Sequence, residues 1–329
     1  MRAVKAEILT LIQTFVERSD DPPMVATQIV SSLYNHVLTD YDRAVWQARD
    51  AQVVQLFAAI VGKLKGEMSH SVHHIMSSLV APTLAMITEN FEDFPEHRAH
   101  FYELLKQINL HCFVAMWSSS PEVQKRTVDS IVWGFKHTER DIADCSLEIL
   151  LQLLRNMSAH PEVAQAFYAT YLLSIIQDLL FVLTDRLHKS GFKMHATLLR
   201  EIFALVESGH IQVALFDVSS QPPGTSNPAF LRSYVTNLIS SAFPNIAVMH
   251  VQQFVMGLLD NRNMDLNAFK QHVRDFLIHL REFSGEDNAE LYAEEQQASA
   301  NVQRQALMAQ RMAVPGLLNP HERDDMADL

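Results

Sequence analysis

The chain has 329 residues, of which 48% are apolar; 26 Lys and Arg face 38 Asp and Glu, for a formal net charge of −12. That balance excludes a nucleic-acid backbone as the main partner, because neutralising phosphates needs a cationic face, and it favours a protein partner with a basic surface. Only 9 glycines and 12 prolines interrupt the chain, too few for a strand-rich fold. The two cysteines, Cys112 and Cys145, lie 33 residues apart without a CxxC, so they signal neither a disulfide framework nor a zinc knuckle and read as reduced core thiols.

Val4, Ile8, Leu11, Ile12 and Phe15 fall at i, i+4, i+7, i+8 and i+11, the stripe of an amphipathic helix over 2–18. Arg2 and Lys5 stand in this segment, but Glu7, Thr10, Gln13 and Glu17 interrupt what would be the apolar stretch of a signal peptide. Pro22 and Pro23 open a second helix that runs to about residue 42, since a proline at the first helical position gives up no needed amide hydrogen. Helices over 51–64 and 70–89 follow. The triplets Phe94-Pro95-Glu96, Ser120-Pro121-Glu122 and His160-Pro161-Glu162 each pair a starting proline with an acid beside the positive helix end, and Asn227-Pro228 repeats the proline. These starts and the apolar spacing predict helices over 95–117, 121–137, 139–158, 161–184, 191–208, 228–242, 246–260, 265–283 and 286–312. The most apolar run, Tyr171 to Thr184, is broken by Gln177 and Asp178 and is shorter than the ~20 residues that cross a bilayer, so a soluble, intracellular chain with no membrane partner is expected.

Alternate helices begin near 51, 95 and 139, a step of 44 residues, within the ~40 to 47 of HEAT-type helix pairs. One helical hairpin cannot bury both of its apolar stripes, whereas stacked hairpins share a core. The fold class read from the sequence is therefore all-α, a HEAT-type superhelix or solenoid of antiparallel helix pairs. The rhythm breaks at 217–228, where Ser219, Ser220, Pro222, Pro223 and Gly224 form the longest loop, and again over 286–329, where nine acids face three basic residues, Arg304, Arg311 and Arg323.

Candidate chemistry is sparse. Glu67, His70 and His74 share one helical face, with His73 beside them, but nothing resembles HExxH and capping or solvation explains them better than a metal. Glu92, Asp93 and Glu96 crowd one turn, where a helix start accounts for acids without acid-base catalysis. Lys136, His137, Arg140, Asp141 and Asp144 form a polar turn that reads as an inter-repeat ion-pair ladder, with a partner contact as the second reading; Trp133 and Phe135 read as core. No GxxxxGK[ST], GxSxG or GxGxxG is present, so no enzyme and no cofactor are expected.

The strings FEDFPEHRAHFYELLKQINLHCF from Phe91 and SIVWGFKHTERDIADCSLEIL from Ser130 resemble helices of the exportin-1 family, receptors for leucine-rich nuclear export signals within the karyopherin superfamily. FYATYL from Phe167, MHATLL from Met194, NLISSAFP from Asn237, AFKQHVRDFLIHLREFSGED from Ala268 and VPGLLNPHE from Val314 follow in the family's order. The resemblance covers the whole chain but only the family's last third, and Met1 aligns with an internal methionine. It implies C-terminal HEAT repeats over 1–285, a regulatory latch helix over 286–312 and an acidic tail over 313–329. It also implies GTP-bound Ran, leucine-rich-signal cargo bound through the missing amino-terminal part, and nucleoporins as partners, with shuttling between nucleus and cytoplasm.

In the family the last helix and tail oppose cargo binding until GTP-Ran releases them. Here that role falls to Leu291, Glu294, Glu295, Ala298, Val302 and Met312 on the helix, and to Glu322, Asp324, Asp325 and Asp328 in the tail. The residues themselves agree: an apolar side of Leu291, Ala298, Val302, Ala309 and Met312, diluted by glutamines, packs weakly and can detach. Arg304 and Arg311 stand nearly alone where the family is richer in Lys and Arg. The rival reading is a free-standing HEAT scaffold or a truncated product without transport activity.

Overall fold

The computed structural model describes residues 2–89, 93–185, 191–260, 264–282 and 289–312. Among these residues every regular element is helical. Two units are distinguished, Met1–Val273 and Arg274–Leu329.

The first unit opens with α1 (Arg2–Arg18) and a helical run, α2, over 22–43, in which α-helical and wider π-type turns alternate. Then come α3 (Ala51–Leu64), α4 over 72–89, α5 (Pro95–His111), α6 (Phe113–Trp117), α7 (Pro121–Phe135), α8 (Arg140–Ala159), α9 (Pro161–Thr184), α10 (Phe192–Glu207), α11 (Asn227–Ala242) and α12 (Val248–Leu259). The helix α13 (Leu266–Glu282) crosses into the second unit. Local chemistry fixes the starts. Asp50 accepts from the amide of Gln52, Ser226 accepts from that of Ala229, and Pro95, Pro121 and Pro161 occupy first helical positions. The segment expected to be one helix over 95–117 is two, because the backbone breaks at Cys112, whose thiol donates to the Lys65 carbonyl at 3.2 Å.

Two layers result. In one, α1, α3, α5, α8, α10 and α12 pack in series; in the other lie α2, α4, α7 and α9. The helices α3, α5 and α8 begin at Ala51, Pro95 and Arg140, and the same period recurs in the bonds between neighbouring pairs. Tyr41 bonds Thr83, Lys106 bonds Glu148, and Asn156 bonds the backbone of Asn109, across 42, 42 and 47 residues. Asn109, fully buried, also donates to the Ile149 carbonyl at 3.0 Å, so this polar rung inside the α5–α8 contact is satisfied. The helix α9, 24 residues long, is apolar enough by length and composition to cross a membrane. Its packing marks it as a core helix: Leu172, Ile175, Ile176 and Leu179 are fully buried against the stack, and Asp178 pairs with Lys136.

Close approach of α5, α7 and α8 rests on Gly134. A Cβ there would lie 2.1 Å from the Ser146 hydroxyl oxygen and 2.6 Å from the ring of Tyr102, whose own hydroxyl donates to the Ser130 carbonyl. Gly134→Ala should therefore destabilise the chain by about 2 kcal/mol through overpacking, although alanine is the better helix former. A urea titration checks this, and an unchanged midpoint would show that the three helices have slack.

The second unit contains the carboxyl half of α13, a 3-10 turn (Ala289–Tyr292) and α14 (Ala293–Met312). The sequence predicts one helix from 286; the regular helix instead begins at Ala293, after the turn.

Candidate functional site

The polar turn between α7 and α8 is built on a buried arginine. Arg98, on α5, has no exposed surface; its guanidinium donates to the Asp93 carbonyl at 2.8 Å, lies 3.8 Å from the Glu139 carboxylate and covers the ring of Trp133. Asp93 precedes Phe94, which is held in the left-handed region at φ +57 immediately before Pro95. Arg98 thus ties a strained corner to the next repeat's turn. Trp133, expected as core, is half-buried, one face covered by this guanidinium, whereas Phe135 is fully buried.

Above Arg98 the five predicted residues separate. Lys136 reaches Asp178 on α9, a rung between repeats. Arg140 pairs instead with Asp144 in its own helix, at 3.3 Å, and Asp141 stands exposed in the first turn of α8. His137 is buried, its Nδ1 accepts the Glu139 amide at 3.0 Å, and its ring meets Trp133 edge-on. Lys136 and Asp178 also border a groove of about 580 Å³, with Phe181, Leu238, Ile239 and Phe243 supplying apolar walls.

Burial, reinforced by the Arg98 charge, holds the His137 pKa below its ordinary value, with Glu139 opposing; burial does the same to His97. An imidazole kept neutral in the fold binds its proton only after unfolding. The stability it contributes is thus complete above the unfolded pKa of about 6.5 and declines as pH falls through it. The melting temperature should drop between pH 7.5 and 5.5, and His137→Gln should make the drop shallower. Parallel curves for the two proteins would assign the pH dependence elsewhere.

The cysteines are free, Cys112 buried and Cys145 half-buried, and burial raises the Cys145 pKa to about 11, so the thiol is unreactive at neutral pH. Glu67, His70, His73 and His74 are exposed, and among the described residues no group of three potential ligands could hold a metal. Glu92 lies outside the described residues; Asp93 and Glu96 flank the start of α5.

The terminal helix departs from expectation at its base. Leu291, read as the first residue of the detachable face, sits in the 3-10 turn and is 6% exposed, because the backbone turns before the helix starts. Ala298 and Val302 are exposed, Val302 at 65%, as is every residue from Gln296 to Ala306. Glu294, Glu295 and Met312 belong to α14, but their side chains lie outside the described residues, as do Glu322, Asp324, Asp325 and Asp328 altogether.

A two-layered stack of helix pairs with a surface groove beside its polar turn defines a protein of the HEAT-repeat scaffold class. Residues 1–285 match the family model described as CRM1 C terminal. The chain belongs to that family. Over its whole length it is 44% identical to Protein EXPORTIN 1B of Arabidopsis thaliana, 42% to Exportin-1 of Schizosaccharomyces pombe and 41% to Exportin-1 of Drosophila melanogaster. It spans about 30% of the length of each of these relatives.

Proposed function

We propose that this chain is the carboxyl-terminal arm of a nuclear export receptor. In the complete protein, the arm contributes to a surface for GTP-bound Ran, and leucine-rich-signal cargo binds cooperatively through repeats beyond this chain. Residues 1–285 form the repeat arm, 286–312 the regulatory helix and 313–329 the acidic tail, the last two opposing cargo binding. Nucleoporins are the further partners, and the receptor shuttles between nucleus and cytoplasm. The observation that carries the reading is the match to exportins along the entire chain. The exposed stretch of the terminal helix from Gln296 to Ala306, in which Val302 is the one bulky apolar residue, supports the regulatory part.

Coupling of this kind is reciprocal: Ran and cargo raise each other's affinity by the same factor, and the terminal helix lowers both. The polar turn from Lys136 to Asp144, beside the groove, is the candidate Ran-contacting surface, since net charge −12 suits a basic partner. The test is capture of GTP-locked against GDP-locked Ran by the chain and by its parent receptor. Preference for the GTP form by the parent, weaker in the arm, fits the proposal; equal or absent binding by both favours the free-standing scaffold.

A further inference from the structure

The second unit contains a buried cation that the transport reading does not use. Arg274, in α13, is 4% exposed. Its Nε donates to the Leu291 carbonyl at 3.3 Å, and its guanidinium carbon lies 4.4 Å from the centre of the Tyr292 ring. One side chain thus grips two consecutive residues of the 3-10 turn by different means, a charge-assisted hydrogen bond to the backbone and a cation–π contact. Farther along, the described side chains of α14, from Gln296 to Ala306, are all exposed. The stripe of α14 that continues from Tyr292 carries Gln296, Ser299, Ala300 and Gln303, small or polar side chains that border only a shallow open trough.

From this contrast we propose that Arg274 is a positioning residue that clamps the turn Ala289–Tyr292 as a fixed foot, so that the terminal helix pivots at the Tyr292–Ala293 junction. Leu291 then stays with the foot instead of leaving with the helix. The proposal rests on the regulatory reading for its biological use, but not for its test. If the helix is a latch, the moving part starts seven residues later than the 286 boundary, and Leu291 and Val302 act differently: one sets where the helix starts, the other belongs to the surface that docks. A substitution at Val302 should then alter regulation without disturbing the foot, and a substitution at Arg274 should loosen the foot without touching the docking surface.

Amide hydrogen exchange on the full 329-residue chain decides it, with no cargo and no Ran present. In the unaltered protein the amides of the turn and of the first residues after it should exchange more slowly than those of 296–306. Arg274→Ala and Tyr292→Leu should each speed exchange at the turn about tenfold and leave the amides of α8 unchanged. Tyr292→Phe, which keeps the ring, should preserve the protection, and so should Val302→Ser. Should Arg274→Ala not fold, Tyr292→Leu alone carries the test. A turn that exchanges as fast as 296–306 in the unaltered protein, or whose exchange changes less than twofold in Tyr292→Leu, overturns the clamp. Failure of the latch reading, shown by unchanged cargo affinity when the helix is removed, would leave these exchange rates as they are.

Discussion

Replacing Arg98 with alanine should lower the unfolding free energy by about 4 kcal/mol, a large share of what a domain of ordinary stability has. Three losses add. The charge-assisted bond to the part-buried Asp93 carbonyl is lost, at ~1.5–3 kcal/mol, and a cavity replaces one of the largest fully buried side chains among the described residues. The Phe94 corner at φ +57 is also released to relax away from Pro95. The ion pair with Glu139 adds little, since that carboxylate is half in solvent. Arg98→Met, which refills most of the volume, should lose about half as much. A urea titration of the three proteins distinguishes the contributions: equal losses in both variants would assign the effect to the bonded carbonyl and leave packing no part.

Removing residues 286–329 from a receptor that contains this arm should raise cargo affinity about tenfold when Ran is absent, and less when GTP-Ran is present. Coupling energies between sites are typically ~1–3 kcal/mol, a fivefold to 150-fold change, and the thin apolar content of α14 places this helix toward the lower half. A core helix such as α8, with Leu147, Ile149, Leu150 and Leu153 fully buried, could not be detached at such a cost. Because nine of the acids lie in the removed segment, part of the effect is electrostatic and should shrink as salt rises. Fluorescence anisotropy with a labelled leucine-rich peptide, at low and high ionic strength, measures both. Identical affinity with and without the segment would remove the latch from this account.

The parts of the fold that depend on local chemistry are legible in the sequence. Prolines at 95, 121 and 161 mark helix starts because the missing amide hydrogen is harmless only there, and the 44-residue step follows from stacking equal hairpins. What escaped depends on tertiary contacts. Nothing local breaks the helix at Cys112, where the thiol reaches the Lys65 carbonyl of the preceding repeat. Arg98 leaves a signal that apolar periodicity passes over: it occupies the apolar stripe with Phe94, Phe101, Tyr102 and Leu105, where a cation survives only if bonded. The resemblance and the apolar spacing both put Leu291 on the helix face, but Arg274, 17 residues earlier, bonds its carbonyl in a turn that no periodicity within 286–312 encodes. The polar cluster reads as one turn in the sequence, but it spans the turn at 136–139 and the first residues of α8, and only the fold separates Lys136, which reaches Asp178, from Arg140, which stays within its own helix.

The most direct measurement is export by a chimera. Exportin-1 of Schizosaccharomyces pombe would carry this chain in place of its matching 329 residues, as the sole copy of that receptor, in cells expressing a fluorescent reporter with a leucine-rich export signal. The account predicts a reporter excluded from the nucleus, as with the unaltered receptor. A stable, correctly folded chimera that leaves the reporter in the nucleus would contradict it.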